Sequence, residues 1–185
     1  MAVLSPENKQ KVLDALGEAQ RIGMLGDAPL PAVIERSLAF VRALPVSAHQ
    51  VIDLGSGGGD PGLVIAAADS SLKVTLVDRR EKRTDLLSRL VGRMDLRDQV
   101  EIIQADVAEL PEHFPGRQWD AATSRGFGSP EYTAQHAAPL ISSGGVLLVS
   151  EPPASRGERW AKPEIEDLGF SFVGVADGVA ILARN

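Results

Sequence analysis

Val51-Ile52-Asp53-Leu54 is a short apolar run of the kind that forms a buried strand. Gly55-Ser56-Gly57-Gly58-Gly59-Asp60-Pro61-Gly62 follows it without a break. Glycines at such a junction let the backbone turn sharply and let a ligand approach without interference from Cβ atoms. Residues 62–68 continue as an apolar helix, so the junction is strand, loop, helix, the unit from which parallel sheets are built. The same alternation persists downstream. Residues 74–77, 100–103, 119–123 and 146–149 read as strands, with helical stretches over 81–94 and 130–141. Strands alternating with helices predict an α/β fold, a Rossmann-like, mostly parallel sheet covered on both faces. Residues 172–175 and 179–182 flank Ala176-Asp177-Gly178. Asp-Gly between two apolar runs predicts an antiparallel C-terminal hairpin.

Two helices are expected ahead of the sheet. Ser5-Pro6-Glu7 combines a hydroxyl cap, a proline at the first helical position and an acid in the first turn. Val12, Leu13, Leu16 and Ala19 give that helix one apolar stripe. Leu30, Val33, Ile34, Leu38 and Val41 give a second helix its own, and Pro45 stops it. With 185 residues, the chain reads as a single domain over 1–185, a helical N-terminal extension at 1–48 and a ligand-binding core at 49–185. The absence of cysteine (0 Cys) excludes a disulfide framework, a cysteine zinc site and a catalytic thiol. His49, His113 and His136 stand alone, so no metal site is expected. Five charges within the first twenty residues argue against a secretory leader, and no apolar stretch is long enough for a membrane span. A soluble, cytoplasmic protein is expected.

Gly57, Gly59 and Gly62 fit G-x-G-x-x-G, the dinucleotide pattern, but a lone match is weak. Counted from Gly55, the third glycine of that pattern is Asp60, and Asp53 places an acid inside the strand. Both features argue against a nicotinamide or flavin enzyme. Asp78 closes the next strand, where a carboxylate can accept hydrogen bonds from the hydroxyls of a ribose. Asp106 follows the third strand, positioned either near an adenine or as the cap of the next turn.

Taken together, Asp53-x-Gly55-x-Gly57-x-Gly59-x-Pro61-Gly62, then Asp78, Lys82, Arg83 and Leu87, then Ser124, Arg125 and Phe127, resemble the class I S-adenosylmethionine-dependent methyltransferases. More narrowly they resemble the RsmG/GidB family, which methylates N7 of a guanine in 16S ribosomal RNA. The resemblance covers residues 50–150. It implies S-adenosyl-L-methionine as cofactor and ribosomal RNA or the small ribosomal subunit as partner. It also implies a cofactor site at Gly55, Gly57, Gly59, Asp60, Asp78, Asp106, Val107, Ala108 and Arg125, with Val107-Ala108 holding the adenine through the backbone and Arg125 beside the methionine end. No catalytic residue is implied. Four departures are visible. Asp60 stands where the family has a bulky apolar residue. Ser150-Glu151-Pro152-Pro153 replaces an L-K-G-like lysine, Val33 and Arg36 replace the His and Asp that precede Ser37, and an Asn-Leu-Thr signature is missing.

The net charge is −6, and residues 101–185 carry twelve acids against six bases. The bases gather instead in Arg79, Arg80, Lys82, Arg83, Arg89, Arg93 and Arg97, either an RNA-binding strip or a solvated helix face. Phe127 and Tyr132 are candidates to stack a splayed base or to fill core, and Trp119 and Trp160 read as structural. Three functions follow: methyl transfer to ribosomal RNA, methyl transfer to a small molecule, or cofactor binding without catalysis.

Overall fold

The computed structural model describes residues 3–185, so the first two residues of the expected extension lie outside the described residues. Helices α1 (Pro6–Arg21) and α2 (Leu30–Ala43) lead into β1 (Gln50–Leu54). Next come α3 (Gly62–Ala68), β2 (Lys73–Asp78), α4 (Glu81–Arg93), β3 (Val100–Gln104) and the single turn α5 (Leu110–His113). They are followed by β4 (Trp119–Ser124), α6 (Pro130–Ala137), β5 (Ile141–Ser150), a second single turn α7 (Pro163–Glu166), and the strands β6 (Phe170–Ala176) and β7 (Val179–Arg184).

Among the described residues, seven strands form one sheet in the order β3-β2-β1-β4-β5-β7-β6. β1 to β5 are parallel, while β7 runs antiparallel to β5 and β6 antiparallel to β7. The mostly parallel sheet, its antiparallel hairpin and the two leading helices thus form as the sequence predicts. Asp177 and Gly178 both have positive φ, 50° and 77°, the backbone of the tight turn that Asp-Gly favours. Strand order reverses between β1 and β4, and open sheets of this kind bind ligands outside the strand ends at that point.

Period-two alternation builds two cores. Val51, Val74, Leu76, Ala121 and Leu148 face one side, against α1 to α4. Ile52, Leu54, Val77, Ala122 and Leu147 face the other, against α5 to α7. The two N-terminal helices belong to the first core, where Leu16 and Phe40 are buried in the same cluster as Val51 and Leu63. Trp119 and Trp160 are each 1% exposed, as the structural reading requires. Trp119 donates its indole N–H to Thr75 Oγ1 at 3.0 Å.

Two boundaries differ from the sequence pattern. The helix expected over 130–141 ends at Ala137, followed by a 3-10 turn to Leu140. Pro139 has no N–H to continue the helix, and its ring conflicts with the preceding turn. β5 therefore starts at Ile141 rather than at 146, pairing with Trp119 before a bulge restores register at Ala121 and Val146.

Gly62 fixes how closely α3 approaches the sheet. A Cβ there would collide with Leu76 and come within 2.8 Å of Asp53 Oδ2. Gly62→Ala is expected to cost about 2 kcal/mol, the usual scale of overpacking. Urea denaturation checks this, and an unchanged midpoint would mean that α3 moves off the sheet freely.

Candidate functional site

The loop between β1 and α3 alternates left-handed glycines, with φ of 71° at Gly55, 54° at Gly57 and 97° at Gly59. Between the first two sits Ser56, 2% exposed. Its amide donates to the Val77 carbonyl at 2.8 Å. Its hydroxyl donates to the Asp53 carbonyl (2.9 Å) and accepts from the Val77 amide (3.1 Å). Ser56 therefore ties the loop to two strands at once. No local pattern distinguishes it from an ordinary loop serine.

Asp78 is the other anchor. It is 4% exposed, and its Oδ2 accepts from the Gly57 amide at 3.0 Å and from the Arg83 guanidinium at 3.1 Å. Its Oδ1 accepts from the Arg80 amide at 3.0 Å. Three of a carboxylate's roughly four acceptor positions are thus filled from within the chain.

A cleft of about 460 Å³ opens above this loop at the switch point. Gly55, Asp78, Asp106 and Val107 line it, opposite Phe127 and Tyr132. Gly57, Gly59 and Ala108 are not among its lining residues, and the Ala108 amide donates to Asp106 Oδ1 at 3.1 Å. That bond caps the 3-10 turn Val107–Glu109, one of the two roles open to Asp106 from sequence; Arg79 lies 3.7 Å from its other oxygen. A Cβ on Gly55 would come within 2.9 Å of the Phe127 ring, so glycine is required for Phe127 to pack over the loop. Phe127, Tyr132 and His136 then form a ladder, with ring centroids 5.5 Å and 4.1 Å apart.

Asp60 and Arg125 do not line this cleft. Arg125 faces a second cavity of about 590 Å³ that shares Gly126, Phe127 and Gly128 with the first. Its guanidinium pairs with the Asp60 carboxylate, whose other oxygen accepts from the Ser37 hydroxyl at 2.5 Å. Burial, and then the positive charge of Arg36, lower the proton affinity of Arg125. Arg159 joins the same cavity from the far side. It donates to Glu151 at 2.7 Å, and Glu151 also accepts from Ser155 (2.5 Å) and the Trp160 indole (2.6 Å). Burial pushes the Glu151 carboxyl up, but these three donors together outweigh it and hold the group below the usual range. The residue that replaces the family's lysine is therefore the anchor of the loop after β5. Nothing local in the sequence points to Arg159, because only this fold-back brings it to the cavity.

The basic segment is paired in part from within. Arg89 and Arg93 pair with Glu18 of α1, Arg79 with Asp106, and Arg83 with Asp78. Arg97 lies against Gly92 at the end of α4. A strip that reads as basic in sequence thus presents fewer free charges than its composition implies.

The family model for rRNA small subunit methyltransferase G matches residues 20–164. A ribosomal RNA small subunit methyltransferase G from Nocardioides is 32% identical over 174 residues, covering 86% of this chain and 67% of the relative. The one from Leuconostoc citreum is 32% identical over 120 residues, 64% of this chain, and the chain spans half of that relative's length (50%). Among solved structures, cofactor-bound Rv0187 from MTB is similar in fold, with a TM-score of 0.70 and 16% identity over 95% of this chain and 91% of that one. The [4+2]-cyclase SpnF has a TM-score of 0.67 at 15% identity, over 90% and 72% respectively. Since a cyclase shares the fold, the structural likeness by itself fixes no reaction. The sequence match does more: it runs from α1 through the glycine loop to α7, and the chain belongs to the rRNA small subunit methyltransferase G family.

Proposed function

We propose that this chain transfers a methyl group from S-adenosyl-L-methionine to N7 of a guanine in small-subunit (16S) ribosomal RNA, acting as a single cytoplasmic domain. The family match across the glycine loop carries this reading, supported by a cleft at the switch point that adjoins a second, arginine-lined cavity. The cleft has the volume of a small-molecule site, and its glycine-built floor admits close approach of a ligand. Gly55, Gly57 and Gly59 would offer backbone to the cofactor. Asp78 would accept a ribose hydroxyl as the Arg83 guanidinium moves off Oδ2. Asp106 and the backbone of Val107-Ala108 would border the adenine, and the Asp60–Arg125 pair would flank the methionine end. The cofactor supplies a methyl group already activated on a sulfonium. What remains for the chain is to align the acceptor with it. Guanine N7 carries a lone pair and no proton, so that alignment requires no general base.

Transfer of labelled methyl to small ribosomal subunits and to their naked RNA tests the proposal, with Gly57→Val as control. Gly57 has room for a side chain, the nearest atom to its Cβ being Arg83 Nη1 at 3.6 Å, but its φ of 54° disfavours valine. The variant is expected to keep its fold and lose roughly ten- to a hundredfold in cofactor affinity, the scale of a displaced backbone turn. Label in the RNA supports the proposal. Saturable cofactor binding with no label in either RNA would overturn it and turn attention to small acceptors, where the departures at Val33, Arg36 and Glu151 would take on their meaning.

A further inference from the structure

We propose that the second cavity is an anion site that holds one phosphodiester of the methyl acceptor between Arg36 and Arg125. The proposal rests on the methyl-transfer reading and refines it. Because the cavity shares Gly126, Phe127 and Gly128 with the cofactor cleft, a group held there is the immediate neighbour of whatever occupies the cleft.

The charges around this cavity fall into pairs, with one exception. Arg125 lies against Asp60, Arg159 against Glu151, and Asp177 against Arg42 at 3.0 Å. The Glu151 oxygens are taken up by Ser155, Arg159 and Trp160, so that carboxylate is not free to repel an anion. Arg36 is exposed, lines the cavity, and forms no ion pair among the described residues. Its positive charge also disfavours that of Arg125. Two guanidiniums directed at one cavity repel each other unless an anion lies between them. Arg42 is shared between Asp177 and Glu35, so the cluster as a whole is balanced, but Arg36 is the one lining cation with no carboxylate of its own, and a phosphodiester of an RNA acceptor would supply that counter-charge. Planar guanidiniums also suit phosphate oxygens, which they can grip with two parallel N–H bonds.

The scaffold holds the two arginines in a fixed relation. Ser37, next to Arg36 on α2, donates to Asp60, and Asp60 in turn fixes Arg125 at the end of β4. Phe127 and the Pro152-Pro153 pair give the cavity apolar walls, suited to the base or sugar joined to such a phosphate. Arg36 is the residue that replaces the acid of the family pattern, so the site belongs to this chain's own substitution.

Binding of small-subunit ribosomal RNA by Arg36→Ala, Arg36→Lys and the unaltered protein, over roughly 50–200 mM salt, tests the site. Arg36→Ala is expected to weaken RNA binding about tenfold and to reduce the slope of log affinity against log salt by about one, with cofactor affinity retained. Arg36→Lys should recover most of the slope. Equal affinity and equal slope in Arg36→Ala would overturn the site. If the unaltered protein binds no RNA, titration with dimethyl phosphate, read through the arginine Nε resonances, decides alone. Shifts at Arg36 and Arg125 that vanish in Arg36→Ala would keep the site and overturn the RNA reading; no shifts would overturn the site.

Discussion

Asp60→Ala is expected to lower the stability of the protein by about 3–5 kcal/mol, the cost of stripping one partner from a buried ion pair. Asp60 is 8% exposed, and both of its oxygens are engaged, one by the Ser37 hydroxyl and one by Arg125. Removing the carboxylate leaves the Ser37 hydroxyl only the Val33 carbonyl, 2.8 Å away, as acceptor, and leaves Arg125 facing the positive charge of Arg36 without compensation. Arg125 retains some access to water, its side chain being 31% exposed, which places the expected loss toward the lower end. Returning the acid to α2 separates charge from packing. Asp60→Leu alone should be nearly as costly as alanine, because the guanidinium is still uncompensated. Asp60→Leu combined with Arg36→Asp supplies a new carboxylate from the neighbouring helix and should recover at least half of the loss. Urea denaturation of the three proteins measures this. A loss below about 1 kcal/mol in Asp60→Ala would show the pair to be solvated and weak, as surface pairs are.

That pair also shows where reading the sequence stops. The strand, the glycine loop and the helix after it are local patterns, and so are Asp78 at a strand end and the Asp177-Gly178 turn; each is visible because neighbours in sequence are neighbours in space. Asp60 is different. Its departure from the family pattern is plain in the sequence, but its meaning depends on Ser37 and Arg125, which reach it from another helix and another strand. The pairing of the basic segment depends on the fold in the same way, since Glu18 on α1, far away in sequence, is the shared partner of Arg89 and Arg93. Ser56 and Arg159 give no local signal at all. Burial and a bond to the neighbouring strand mark out Ser56, and the bonds back to Glu151 mark out Arg159. Element boundaries moved where one residue overrode the pattern, as Pro139 does at the end of α6.

Asp53 sets the second large effect, a dependence of stability on pH. It sits on β1 under the glycine loop, 1% exposed, and accepts from the Thr123 hydroxyl at 2.8 Å. Burial raises its carboxyl from 3.8 to about 6, against the opposing bond of the Thr123 hydroxyl. The folded protein therefore holds this proton through a range in which the unfolded chain has released it. With more protons bound in the folded state, stability falls as pH rises from about 4 to about 6 and levels off above. The rise corresponds to about 3 kcal/mol in total. Carboxyls held below the usual range, such as Glu101 beside Arg117, act in the opposite sense, and their contribution is lost only at lower pH. Asp53→Asn removes the titrating group and should flatten the profile between pH 4 and 6. Relative to the unaltered protein, the variant is expected to gain about 3 kcal/mol over that interval, whatever its starting stability. Denaturant midpoints across the range read this directly. Parallel profiles for the two proteins would mean that Asp53 is ionised throughout, its charge stabilised by Thr123 and the start of α3, and the floor of the loop would then carry a permanent negative charge beneath any bound ligand.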